Sequence, residues 1–182
     1  GDSLTDNGNA NAASGGLAPA GPDTRYFGGR WSNGPVWAEL MGNTLAKGAI
    51  AAPSVKTSMD FAFGGAATLQ SRNNDGGAGF PALPTQLAMF QSHAVAIKST
   101  DLFTVWIGAN DILSTAAQAN PALMAPVGIS AAQEAAKGIQ TLIGLGAKNV
   151  LVFNMPDIGL SPAGLASGGA EPDVGHVEHE DI

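Results

Sequence analysis

The sequence predicts an α/β fold built on a parallel sheet, and three observations lead to it. Continuous apolar runs rich in β-branched and aromatic residues, clearest in DLFTVWI (101–107) and NVLVFN (149–154), suit strands buried on both faces. Segments with helical apolar spacing alternate with them, and the order strand–helix–strand–helix–strand gives helices layered over such a sheet. Each run hands over to a Gly-, Asn- or Asp-containing turn. In open α/β sheets, ligands bind beyond the carboxyl ends of the strands, where such turns lie.

Taken in chain order, residues 32–46 read as a helix. Ser32 or Asn33 suits its cap, Pro35 its first turn, and Val36, Trp37, Leu40 and Met41 share a face. Thr57 to Phe63 reads as a short strand running into Gly64 and Gly65. QSRNNDGGAGFPALP (70–84) is polar, Gly- and Pro-rich, and aperiodic, so it reads as a loop. Residues 84–97 form a second helix with Leu87, Phe90 and Ala94 on one side. The strand Asp101 to Ile107 ends at Gly108 and is followed by an Ala-rich helix over 130–145, with Ala136, Ile139, Ile143 and Gly144 near one face. The strand Asn149 to Asn154 then leads into the loop MPDIGLSPAGLASGG and the acidic stretch EPDVGHVEHEDI. The domain is expected over residues 1–165, with an acidic tail over 166–182.

Composition narrows the function. With 182 residues, 45% hydrophobic and 13% charged, the chain has the material for one buried core. A net charge of −7 argues against nucleic acid or an anionic membrane surface as partner, because both need clustered Lys and Arg. The absence of Cys removes disulfides, thiolate metal sites and a cysteine nucleophile. No run of about 18 apolar residues is present, so no transmembrane helix is expected.

Nucleophilic acyl transfer needs a hydroxyl, a base to take its proton, and donors for the oxyanion. Ser3 lies among small residues that leave its hydroxyl open. Gly64–Gly65 follows a strand, where a backbone N–H can approach a ligand closely, and Asn110 follows another with a side-chain amide as donor. Read alone, each has a plainer role: a turn serine, a tight turn, and a strand end that caps a helix. Trp31, Trp37 and Trp106 read as core residues, and Asp157 as a turn residue.

Taken together, GDSLTDNGN, GRWSNGPVWAEL, DFAFGGAAT, TVWIGANDIL and NVLVFNMPDIG resemble, in order, the successive blocks of the GDSL esterase/lipase family of the SGNH hydrolase superfamily, in its bacterial and fungal secreted lipase-like branch. The resemblance covers residues 1 to 162. It implies a three-layer α/β/α flavodoxin-like fold, a cofactor-free serine hydrolase acting on carboxylic esters, a small-molecule or lipid ester as substrate, and secretion. Ser3 is then the nucleophile. The oxyanion donors are the N–H of Ser3, the N–H of Gly65 (Gly64 being the other register) and the amide of Asn110, while Asp2 and Asp6 shape the turn. The family's base is the His of an Asp-x-x-His motif, which here falls on Asp173 and His176 in DVGH; Val177 and Glu178 follow where relatives carry Pro-Thr. Relatives also have an apolar strand before the first block and a further strand and helix before the last motif. The expectation is therefore a sheet lacking its first strand and part of its C-terminal region. Two other functions stand beside esterase: a non-catalytic hydrolase remnant, and a phospholipase or acyltransferase using the same chemistry.

Overall fold

Two parallel strands carry the sheet in the computed structural model, which describes residues 1–19, 25–45, 59–69, 79–113, 120–162 and 165. Strand β1 (Leu102–Val105) pairs with β2 (Asn149–Val152) in the register Leu102↔Asn149 to Val105↔Val152. The N–H of Phe153 extends the ladder to the Val105 carbonyl at 3.0 Å. The fold is α/β with a parallel sheet, as the apolar runs predict, but the strands are not buried on both faces: Leu102, Leu151 and Val152 are exposed.

Five α-helices accompany the strands among the described residues: α1 (Asn9–Ala13), α2 (Trp37–Leu45), α3 (Leu83–Ser92), α4 (Ala109–Ile112) and α5 (Met124–Gly144). Helices α4 and α5 make the crossover from β1 to β2. The core forms where α3 and α5 meet β1, around Phe63, Leu83, Phe90, Val105, Ile107 and Leu142. Phe90 packs edge-on against both Phe61 and Phe103, with ring centroids 5.7 and 5.4 Å away.

The boundaries depart from the sequence reading in instructive ways. Helix α2 starts at Trp37, and its cap is neither Ser32 nor Asn33. Glu39 instead reaches back to accept the Val36 N–H at 2.9 Å, one half of a capping box. The same carboxylate takes Nε and Nη2 of Arg30 at 3.2 and 2.5 Å, a buried bidentate pair. Helix α3 ends at Ser92 rather than 97. His93 closes it, Ala94 leaves with a φ of +49°, and Asp101 claims the Lys98 N–H at 2.8 Å to form the turn into β1. Helix α5 begins at Met124 rather than 130, since Pro126 falls in its first turn, where no intrahelical N–H is required.

The expected strand Thr57 to Phe63 does not form over its described part, 59–63; Thr57 and Ser58 lie outside the described residues. The Asn9 side-chain amide donates to the Asp60 and Ala62 carbonyls, both at 2.9 Å. The Asp60 carboxylate accepts the N–H groups of Ala62 at 2.8 Å and Asn7 at 3.1 Å. The side chains of Asn9 and Asp60 thus occupy the groups a strand ladder would use. Among the described residues, the Phe63 N–H, which donates to the Gly1 carbonyl at 3.2 Å, bonds as a neighbouring strand would.

Beside β1 lies an apolar trench of about 670 Å³. All four consecutive residues of β1 line it, so it follows a strand edge and not one face. Phe61, Leu87 and Phe90 form other parts of its wall, and Gly1 sits at its border.

Candidate active site

The site begins as a turn. The Asp2 carbonyl accepts the N–H groups of Thr5 and Asp6 at 3.0 and 2.9 Å, and its carboxylate takes the Leu4 N–H at 3.0 Å. These three bonds close the chain around Ser3. Ser3 is half-buried, and no described group hydrogen-bonds its hydroxyl. Asp2 itself is buried, which pushes its carboxyl above the usual carboxylate range.

Asp6 is the hub of the block. One carboxylate oxygen accepts the N–H groups of Gly8 and Asn9 at 2.8 and 2.6 Å; the other accepts those of Ala10 at 3.2 Å and Gly64 at 2.8 Å. It therefore caps the start of α1 and grips a turn 58 residues further along the chain. Full burial pushes its carboxyl up, and the four N–H groups oppose that shift. Asp60, also buried, is pushed up to about 7, mainly by desolvation.

The Gly-Gly segment is a tight turn closed by the Ala66 N–H donating to the Phe63 carbonyl at 3.0 Å. Gly65, third in the turn, has a φ of +78°. That is the type II pattern, which calls for glycine there. Gly64 is glycine for a different reason: a Cβ on it would lie 1.9 Å from Nε1 of Trp31. The Gly64 N–H is committed to Asp6, while no described group accepts the Gly65 N–H.

The third segment, Gly108-Ala109-Asn110-Asp111, follows β1 and opens α4. The Asn110 amide is buried and donates to the Ala66 carbonyl at 2.9 Å, leaving its second N–H without an acceptor among the described residues. Asp111 binds Thr68 through the backbone N–H, at 3.0 and 3.2 Å, and through Oγ1 at 2.6 Å. The Gly-Gly turn is thus pinned on one side by the serine block and on the other by the block after β1. Hydrogen bonds thus link the loops that carry Ser3, Gly65 and Asn110.

Asp173 and His176 lie outside the described residues, as do His179 and the rest of the expected tail. His93 serves its own helix, with Nδ1 3.0 Å from the Met89 carbonyl and its ring edge-on to Phe61. Asp157 accepts the Gly159 N–H at 2.8 Å and caps a single helical turn, Ile158–Leu160, the turn role its sequence suggests. Among the described residues no group of three or more His, Cys, Asp or Glu is placed to hold a metal, and no helix is long and apolar enough to cross a membrane. Sequence reasoning missed Trp31 as the wall behind Gly64, and the bracing roles of Asn9, Asp60 and Asp111. The one signal available was the density of Asp and Asn in the first nine residues.

A family model described as GDSL-like Lipase/Acylhydrolase matches residues 1–180. The phosphatidylcholine-sterol acyltransferase of Aeromonas hydrophila is 32% identical over 175 residues, covering 90% of this chain and 45% of that protein. The chain therefore spans less than half the length of this curated relative.

Proposed function

Because the chain belongs to the GDSL-like lipase/acylhydrolase family, we propose that it transfers acyl groups from carboxylic esters through Ser3. The Ser3 Oγ attacks the ester carbonyl carbon, its proton passes to a base, and the carbonyl oxygen gains the negative charge. Collapse of the tetrahedral intermediate expels the alcohol, which takes that proton, and leaves an acyl-serine ester. Water then attacks this ester and releases the acid and free Ser3. The N–H groups of Ser3 and Gly65 and the Asn110 amide hold the oxyanion, and His176, oriented by Asp173, is the base.

The observation that carries this reading is the division of hydrogen bonds at the Gly-Gly turn. Asp6 consumes the Gly64 N–H and Ala66 consumes one Asn110 N–H. The Gly65 N–H and the second Asn110 N–H are left as donors beside the serine loop. Of the two glycine registers, this favours Gly65.

Hydrolysis of p-nitrophenyl acetate by the wild type and by Ser3→Ala tests the reading, together with fluorophosphonate labelling. Labelling at Ser3 and loss of turnover in the variant are expected; equal rates would refute it. His176→Ala should abolish turnover while His179→Ala leaves it intact. A second reading, transfer to an alcohol in place of water, draws on the acyltransferase relative. Adding a sterol or a short alcohol and finding the transferred ester would establish it.

A further inference from the structure

We propose that Asp6 is a positioning residue that sets the direction of the Gly65 N–H, an inference that rests on the assignment of that N–H as an oxyanion donor. In a four-residue turn the central peptide faces one way in type II and the opposite way in type I. Here the central peptide joins Gly64 to Gly65, and its N–H is the proposed donor. Glycine at both central positions makes either form accessible, so the sequence of the turn alone does not choose between them.

The choice falls to the groups that hold the turn. Asp6 fixes the peptide entering it through the Gly64 N–H at 2.8 Å, and Asn110 fixes its exit through the Ala66 carbonyl at 2.9 Å. Asp6 is itself held, since three further N–H groups from residues 8–10 bond its carboxylate. A carboxylate offers acceptors on both oxygens, as this position requires. An asparagine would turn an NH₂ toward backbone donors on one side. The carboxylate thus ties the loop that carries the nucleophile to the loop that carries the oxyanion donor, so the two move as one body.

Amide NMR and kinetics on the full chain test this with Asp6→Asn and, as a matched control, Asp60→Asn. Asp60 is also buried and accepts backbone N–H groups from Ala62 and Asn7. In the wild type the Gly64 amide should be protected from exchange and the Gly65 amide should exchange freely. Asp6→Asn should remove the Gly64 protection, shift the Gly65 resonance, and lower kcat about 100-fold, as expected for a misplaced group, with KM within about twofold. Asp60→Asn should lose stability yet keep the Gly65 resonance in place. If Asp6→Asn does not fold, an acid titration of the wild type replaces it. The Gly64 and Gly65 amides should then shift together at the midpoint of the Asp6 carboxyl resonance, which is read separately from those of Asp2 and Asp60. Glycine amides indifferent to Asp6 in both experiments would overturn the proposal. Amides that respond in a wild type that neither turns over nor labels at Ser3 would uphold the hold of Asp6 on the turn and overturn the reaction assigned to it.

Discussion

Replacing Gly64 by alanine adds one carbon at the tightest point of the site. That carbon would sit 1.9, 2.5 and 2.7 Å from Nε1, Cε2 and Cδ1 of Trp31, where ordinary contact begins at 3.4 Å. The gap must open by about 1.5 Å, a distance set by those two figures. Trp31 is a rigid ring, packed edge-on against Tyr26 with centroids 5.8 Å apart. Gly64 is held by Asp6. Either the indole leaves its place or the turn does. Overpacking of this kind costs about 1–3 kcal/mol of stability. Displacing the turn by an ångström or more lowers turnover about 100-fold. The assay is kcat/KM on p-nitrophenyl acetate beside a thermal melt. The double variant Trp31→Ala/Gly64→Ala isolates the cause: removing the indole should restore part of both quantities, with a coupling of about 1 kcal/mol or more. A Gly64→Ala protein with wild-type kcat/KM and melting temperature, or a double variant no better than the single one, would refute the steric argument.

Asn110→Ala should lower kcat about 100- to 1000-fold by removing the proposed oxyanion donor, while the lost bond to Ala66 costs only about 1 kcal/mol in chemical denaturation; a kcat within tenfold of the wild type would count against the role. Burial pushes Asp60 from 3.8 up to about 7, so the folded chain keeps this proton where the unfolded chain has released it. Its contribution to stability is complete below about pH 4 and is lost as pH rises through 7, by up to about 4 kcal/mol at about 1.4 kcal/mol per pH unit; a ¹³C carboxyl midpoint near 4 would contradict this. Glu39→Ala should destabilise by about 3–5 kcal/mol, because it leaves the Arg30 charge buried without its partner; urea unfolding measures it, and a change below 1 kcal/mol would mean that water reaches the guanidinium.

The parts of the fold legible in the sequence are those whose cause is local. A run such as LFTV or NVLV reads as a strand from its own β-branched and apolar residues, even though Leu102, Leu151 and Val152 are exposed in the folded chain. Helices α2, α3 and α5 declared themselves by apolar spacing, but their ends did not, because Glu39, Asp101 and Pro126 set them through individual bonds and ring geometry. The segment before Gly64 has a strand's composition and failed as a strand. Its carbonyls are taken by the amide of Asn9, more than fifty residues earlier, and such a bond leaves no trace in local periodicity. At the site, Ser3, Gly65 and Asn110 were legible as residues of recurring blocks. The reason Gly64 must be glycine was not, because Trp31 meets it only in the folded chain.

The trench along β1 bears on how substrate preference is to be measured. It is an apolar volume of about 670 Å³ whose border includes Gly1, two residues before Ser3. Moving a methylene from water into such a space is worth about 0.8 kcal/mol, so partition of a long acyl chain or detergent tail into it would be favourable whatever happens at the ester. A ligand that fills it raises the melting temperature by mass action alone. A ranking of esters by chain length, or a thermal shift with a surfactant, will therefore report solvation of this trench as much as selection at the serine. Acetate esters, too short to fill it, read the chemistry directly.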